Sequence, residues 1–298
     1  MNTNRQKGPV NILVTGANGQ LGNEIRDLEN QYQGVFSFTF TDVAELDLLD
    51  ATAVQALCQT LKPDYIINCA AYTAVDRAED DEVMCRKINR DAVLHLAEAA
   101  ESISAKIIHI STDYVFDGSQ TQPYQETDPV CPVSVYGKTK LEGEEVLQNN
   151  SSQYLIIRTA WLYSEYGNNF VKTMLRLGKE KEVLQVVHDQ VGSPTYAGDL
   201  AKAIMDIVSS SESGRFIKGM YHYSNQGICS WFEFTKKIHA LAGITTCQVL
   251  PIAAKDYPAK APRPAYSVLS KDKIIADYGI TVPQWEDSLA VCIARLHS

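Results

Sequence analysis

The apolar run Val10 to Thr15 ends at Gly16-Ala17-Asn18-Gly19-Gln20-Leu21-Gly22, and a helical pattern begins at Gln20 and continues to about Glu29. Few local patterns restrict a fold as strongly as buried strand, glycine turn, helix. In Gly-x-x-Gly-x-x-Gly the first two glycines permit a tight turn and close approach of backbone to a pyrophosphate, and the third lets the helix pack on the strand. The helix start offers unpaired N–H groups and a partial positive charge to phosphates. Elsewhere the same glycines would mark only a turn; the flanking strand and helix make the motif point to dinucleotide binding.

The following elements repeat the alternation. Val35 to Thr41 reads as a second strand ending at Asp42, about twenty residues past the last glycine, where a carboxylate in such a fold accepts hydrogen bonds from the adenosine ribose. A 2′-phosphate within ~4 Å of it would meet up to ~4 kcal/mol of repulsion at an effective dielectric of about 20, which leans the cofactor towards NADH over NADPH. Ala51 to Leu61 is a helix stopped by Pro63, and Asp64 to Cys69 a third strand. A long helix starts in the acidic turn around Asp76 and Glu82 and reaches about Ser104; its charges read as helix-dipole partners. Lys106 to Ile110 and Tyr154 to Arg158 are strands four and five. The order predicts an α/β fold, a Rossmann-type doubly wound parallel sheet with its ligand crevice at the carboxyl ends of the strands.

Strand four delivers Ser111-Thr112-Asp113-Tyr114 to that edge, and a loop then leads to Tyr136-Gly137-Lys138-Thr139-Lys140. The i,i+4 spacing puts the Tyr136 phenol and the Lys140 ammonium on one helix face. A nearby cation would favour phenolate and bring the tyrosine closer to proton transfer at neutral pH. Tyr-x-x-x-Lys alone is a common coincidence, and Ser111 and Thr112 could simply cap their loop. The glycine turn gives the pair its meaning.

After strand five the elements become shorter and more aromatic. Helices follow Gly167-Asn168-Asn169-Phe170 and span Asp199–Val208 and Trp231–Ala242, with strands at Val183–Val187, Met220–Ser224 and Gln248–Ile252, a proline-rich loop at Asp256–Pro264 and a last helix from Trp285. We read residues 1–158 as the dinucleotide-binding core, completed by about 183–208, and residues 159–182 and 209–298 as a smaller mixed α/β substrate lobe.

Bulk properties exclude several classes. A net charge of −9 over 298 residues argues against nucleic acid as a partner. No apolar stretch approaches the roughly 18 residues of a membrane span. The polar start with Arg5 and Lys7 leads into a short strand rather than a signal-peptide core. Seven scattered cysteines without Cys-x-x-Cys point to reduced thiols and a cytoplasmic protein. The six histidines show no metal-ligand spacing.

These motifs, with Asn68-Cys69-Ala70-Ala71-Tyr72-Thr73-Ala74-Val75-Asp76, Ser111-Thr112-Asp113-Tyr114-Val115-Phe116, Gly167-Asn168-Asn169-Phe170, Asp189-Gln190-Val191-Gly192-Ser193-Pro194-Thr195 and Arg263-Pro264, cover nearly the whole chain. It resembles the extended short-chain dehydrogenase/reductases and, within them, the dTDP-4-dehydrorhamnose reductase family. The resemblance implies NADH- or NADPH-dependent reduction of the C4 ketone of a nucleotide sugar, with Tyr136 as proton donor, Lys140 tuning it and holding the nicotinamide ribose, and Thr112 donating to the same oxygen. It implies cofactor contacts from Gly16, Asn18, Gly19, Gln20, Leu21, Gly22, Asp42, Asp47, Leu48, Ala70, Ala71, Tyr72 and Thr73. On the substrate side it implies Val75, Asp113, Tyr114, Trp161, Asn168 and Asn169, with Arg263 as a diphosphate candidate. Some members of the family carry Mg²⁺ and pair as homodimers; Glu24 is a candidate metal contributor, and no ligand set is assigned. Two alternatives stay open: a dinucleotide-binding regulatory subunit like the methionine adenosyltransferase beta subunit, and a nucleotide-sugar epimerase or dehydratase.

Overall fold

The computed structural model describes residues 8–297, and the polar start with Arg5 and Lys7 lies outside them. Six parallel strands form the central sheet, in the spatial order Phe36–Thr41, Val10–Thr15, Tyr65–Asn68, Lys106–Thr112, Tyr154–Thr159 and Gly219–His222. Alternate residues of each strand feed two cores, as a two-residue period requires. Ile12, Val14, Ile67, Ile108 and Ile157 pack on Leu21 and Ile25 of helix Gln20–Leu28 and on Leu200 and Ile204 of helix Ala197–Glu212. On the opposite face Leu13, Ile66, Ile107 and Ile156 meet Val54, Leu96 and Leu147 from helices Ala51–Leu61, Ala92–Ile103 and Val135–Asn150. The doubly wound α/β expectation is met.

Strand Val10–Thr15 has Phe36–Thr41 on one side and Tyr65–Asn68 on the other, and this reversal of strand order opens the crevice at their carboxyl ends. Gly16 turns the chain there at φ +66°, and a Cβ on it would lie 2.6 Å from the Ala70 nitrogen, so only glycine fits.

The division of the second half differs from expectation. Val183–Val187 does not complete the large sheet; it pairs with Gln248–Ile252 in a separate two-stranded sheet. Its exposed polar residue Gln185 suits a surface ribbon better than a sheet covered on both faces. The sixth place in the sheet goes instead to Gly219–His222, expected in the lobe, where Tyr221 joins the core and its hydroxyl donates to Asp277 at the rim. The lobe has its own apolar centre, built from Tyr163, Val171, Phe234, Ile238, Trp285 and Leu289.

The expected long helix to Ser104 is broken into Val75–Ala78, Glu82–Arg86, a wider π turn at Lys87–Asp91, and Ala92–Ile103. Strand four extends to Thr112, two residues beyond expectation, and a helix at Asp272–Tyr278 lies where none was read.

Candidate active site

A cavity of about 570 Å³ opens at the carboxyl edge of the sheet. Its wall combines Gly19, Gln20 and Leu21 from the glycine turn, Ala71, Thr73 and Val75 after strand Tyr65–Asn68, and Thr112, Asp113 and Tyr114 after strand Lys106–Thr112. Tyr136, Lys140, Trp161, Asn168 and Asn169 complete it. A second, mainly apolar cavity of about 270 Å³ lies beside the turn, between Gly16, Asp42, Asp47, Leu48 and Ala70. A third of about 500 Å³ shares Thr73, Val75, Tyr114 and Trp161 with the first and continues past Phe170 and Trp231 to Tyr257 and Arg263. Most of the sequence-expected residues therefore gather in these three spaces.

Ser134 starts the helix bearing Tyr136 and Lys140 by accepting a hydrogen bond from Gly137 N at 3.1 Å. Lys140 is buried, and its Nζ donates to the Ile110 carbonyl at 2.6 Å and lies 3.4 Å from His109 Nε2. Burial lowers Lys140 to about 8, against a smaller upward pull from Glu144 and Cys85. Burial also raises the Tyr136 phenol, partly offset by the Thr112 hydroxyl. This corrects one expectation: the lysine is aimed at the strand, and the phenol is raised rather than lowered. Thr112 is likewise engaged, its hydroxyl donating to Asp113 Oδ1 at 3.0 Å and accepting from Tyr114 N at 3.2 Å. Burial pushes Asp113 up to about 6. Tyr114 meets Tyr136 edge to face with centroids 5.4 Å apart.

On the dinucleotide side Asp42 accepts from Asn18 N at 2.9 Å and Val43 N at 2.8 Å, which ties the end of the second strand to the glycine turn. Asp47 accepts from Leu49 N at 2.9 Å, and the Leu48 carbonyl is 2.8 Å from His95 Nδ1. Gly22, Asn18 and Tyr72 line none of these spaces with side chains. Tyr72 turns its hydroxyl to Asp81 at 3.4 Å, while its backbone is fixed from both sides by Asn89.

Asn89 is the functional-region residue that sequence reasoning missed. From the π turn its Oδ1 accepts from Tyr72 N at 2.8 Å, and its Nδ2 donates to Tyr72 O at 3.2 Å and Thr139 Oγ1 at 3.2 Å. It therefore joins the Ala71–Thr73 wall to the Tyr136 helix. The available signal was a buried asparagine inside a pattern read as continuous helix, where its propensity is poor.

On the lobe side Trp161 adopts φ +48° and stacks on Trp231 at 3.5 Å and 11°. Gly192 makes this possible, since a Cβ there would come within 2.7 Å of the Trp161 ring. Asn169 caps the next helix through Lys172 N, and its Nδ2 donates to Gln20 Oε1 at 2.9 Å and Ser164 O at 2.7 Å, so the side chain serves the wall. Arg263 lines the third cavity but is held by both Asp76 oxygens, at 3.1 and 2.7 Å. Asp76 also accepts from Lys260 N and Ala261 N; it anchors the proline-rich loop as well as starting a helix.

Among the described residues, Glu24, Asp27 and Glu165 each offer a carboxylate oxygen within 4.8 Å of the others. The set does not fit a resident Mg²⁺. Arg295 Nη1 lies 2.7 Å from Glu165 Oε1 and 3.5 Å from Glu24 Oε2, so the chain's own guanidinium supplies the positive charge. Burial and the neighbouring Glu165 push Glu24 up to about 9. Burial acts upward on Glu165 too, but the hydrogen bond from Arg295 prevails and holds it below the usual carboxylate range.

The profile of the RmlD substrate binding domain family matches residues 10–298. A dTDP-4-dehydrorhamnose reductase from Aggregatibacter actinomycetemcomitans is 42% identical over 93% of this chain and 96% of its own. The crystal structure of a Clostridium acetobutylicum dTDP-4-dehydrorhamnose reductase superposes with a TM-score of 0.91 at 44% identity, covering 97% of this chain and 100% of that one. The Bacillus anthracis dTDP-4-dehydrorhamnose reductase in complex with NADP gives a TM-score of 0.91 at 39% identity, covering 96% of this chain and 99% of that one. The chain belongs to the RmlD substrate binding domain family, the dTDP-4-dehydrorhamnose reductase group of the extended short-chain dehydrogenase/reductases.

Proposed function

We propose that this protein reduces the C4 ketone of dTDP-4-dehydro-L-rhamnose to give dTDP-L-rhamnose, using NADH or NADPH and acting in the cytoplasm. The observation that carries the reading is the convergence of Thr112, Tyr136 and Lys140 on a cavity walled by the glycine turn and continuous with the Trp161/Trp231 space. The glycine cradle and the 270 Å³ apolar cavity suit the pyrophosphate and adenosine of a dinucleotide, and the reduced nicotinamide supplies the hydride. In this reading the six-stranded core holds the dinucleotide and the lobe holds the nucleotide sugar.

Tyr136 gives its proton to the alkoxide that develops at C4. Burial keeps the phenol protonated until that charge appears, which suits a donor. Thr112 rotates its hydroxyl from Asp113 to the same oxygen and adds a hydrogen bond that strengthens as charge grows. Lys140 holds the nicotinamide ribose and replenishes the Tyr136 proton. Arg263, already fixed by Asp76, presents its outer edge to the diphosphate. No step runs through a metal.

The test is incubation of purified protein with dTDP-4-dehydrorhamnose and either reduced cofactor, following the nicotinamide absorbance. Stoichiometric loss with sugar product is expected. No loss with either cofactor would overturn the reading, and turnover of sugar without net cofactor oxidation would favour an epimerase.

A further inference from the structure

Beneath the cavity floor a line of buried polar side chains runs from strand to strand, and its donors and acceptors can be assigned one after another. Asn68 Oδ1 receives two hydrogen bonds, from Ala70 N at 3.1 Å and Thr15 Oγ1 at 2.8 Å. A backbone N–H can only donate, so the oxygen of the Asn68 amide faces Ala70 and its NH₂ faces the other way. There it meets His109 Nδ1 at 3.0 Å. Nδ1 must then be an acceptor, and the neutral ring carries its proton on Nε2.

That nitrogen is 3.4 Å from Lys140 Nζ. An ammonium has three N–H donors and no lone pair, so it would set donor against donor; a neutral amine has a lone pair for the Nε2–H and still donates to Ile110 O at 2.6 Å. A charged imidazolium is no way out, because Asn68 NH₂ would then oppose an Nδ1–H in a site with no solvent exposure.

We propose that His109, oriented by Asn68, is a positioning residue that presents its Nε2–H to Lys140 and so favours the neutral amine of that lysine. The catalytic significance rests on the reductase reading: an amine at Lys140 can take a proton from solvent or the cofactor hydroxyls and pass it on when Tyr136 has given its own away. No atoms or electrons are needed beyond that proton.

The other groups facing Lys140 come from its own helix and from the neighbouring helix Glu82–Arg86. Glu144 on its own helix favours the ammonium, as does Cys85 from Glu82–Arg86, but Glu144 is held by Arg158 through two hydrogen bonds, which spends much of its charge. Tyr136 is neutral, raised by burial. Burial itself acts in the same direction as His109, lowering Lys140 to about 8 and keeping His109 well below the usual imidazole range.

The experiment separates orientation of His109 from mere filling of space. Lysine ε-carbon resonances of the full-length protein are titrated without substrate, with Lys140→Arg identifying the Lys140 signal. His109→Gln keeps a polar side chain of similar reach but can turn its carbonyl oxygen to the lysine. Asn68→Ala keeps the histidine and frees its tautomer. Both should move the Lys140 midpoint up by about one pH unit, roughly tenfold in the protonation equilibrium. The rising limb of the turnover profile should move by the same amount. Midpoints that stay in place, or fall, in both variants would overturn the proposal; should Asn68→Ala fail to fold, His109→Gln decides alone. Because the titration needs no substrate, absence of reductase activity would sink the functional reading and leave this result to stand or fall separately.

Discussion

The Arg158 guanidinium and the Glu144 carboxylate are joined by two hydrogen bonds, Nε to Oε1 at 2.9 Å and Nη2 to Oε2 at 2.6 Å, with side-chain exposures of only 4% and 1%. Ser111 Oγ donates to the same Oε1, and the Phe116 ring covers the guanidinium at 5.1 Å. The pair fastens the helix of Tyr136 and Lys140 to strand Tyr154–Thr159. Glu144→Gln would leave a buried arginine without its counter-charge. We expect a loss of about 3–5 kcal/mol in denaturant unfolding, the usual consequence of removing one partner of a buried pair. A change below ~1 kcal/mol would show that the helix is held by packing alone.

Tyr136→Phe keeps the ring and its edge-to-face contact with Tyr114 while removing the proton. Turnover should fall at least ~100-fold with cofactor affinity largely kept, the range expected for loss of a general acid. Steady-state kinetics together with cofactor titration by fluorescence provide the check. Unchanged turnover would transfer the proton-donor role elsewhere.

The glycine turn, the first five strands and the Tyr136 helix were legible in the sequence because each is declared by local pattern: an apolar run, a required φ at Gly16, a spacing of four. The supports of the site were not. Glu144 with Arg158, Asp76 with Arg263 and Asn89 with Tyr72 are pairings across 14, 187 and 17 positions, and periodicity reports that a residue is buried without naming its partner. The π turn at Lys87–Asp91 escaped for a related reason, since it is sustained by tertiary bonds from Asn89 rather than by any helix-breaking residue. Gly219–His222 was misplaced because its four residues carry too little pattern to distinguish a sheet edge from a lobe ribbon.

Asp42 has its oxygens on Asn18 N and Val43 N, and Glu45 lies beside it, accepting from Asp42 N at 2.9 Å. Two carboxylates at the end of the second strand disfavour a 2′-phosphate, so NADH should be the better cofactor even though the Bacillus anthracis relative was crystallised with NADP. Asp42→Ala should narrow the ratio of kcat/KM for NADH over NADPH by roughly tenfold or more, equivalent to about 1.4 kcal/mol. An unaltered ratio would place the ribose away from Asp42.

Glu24 provides a pH signature that does not depend on catalysis. It is 2% exposed, and its folded-state value of about 9 stands above the ordinary 4.5. A carboxyl raised on folding contributes stability that is full below its unfolded value. Between the two values the folded protein keeps a proton that the unfolded chain has lost, so stability falls as pH rises, with the loss complete above the folded value. Wild-type stability should therefore decline from about pH 5 to pH 9, with a slope of at most ~1.4 kcal/mol per unit from this group. Glu24→Gln retains a donor for Glu165 without an ionisable proton, and its curve should be flatter, with the advantage over wild type growing towards alkaline pH. Since Arg295 already neutralises Glu165, a chelator should leave both curves unchanged. Parallel curves for the two proteins in urea unfolding at stepped pH would show that Glu24 ionises as freely in the folded state as in the unfolded one; destabilisation by the chelator would mean that a cation, rather than Arg295, balances the carboxylates.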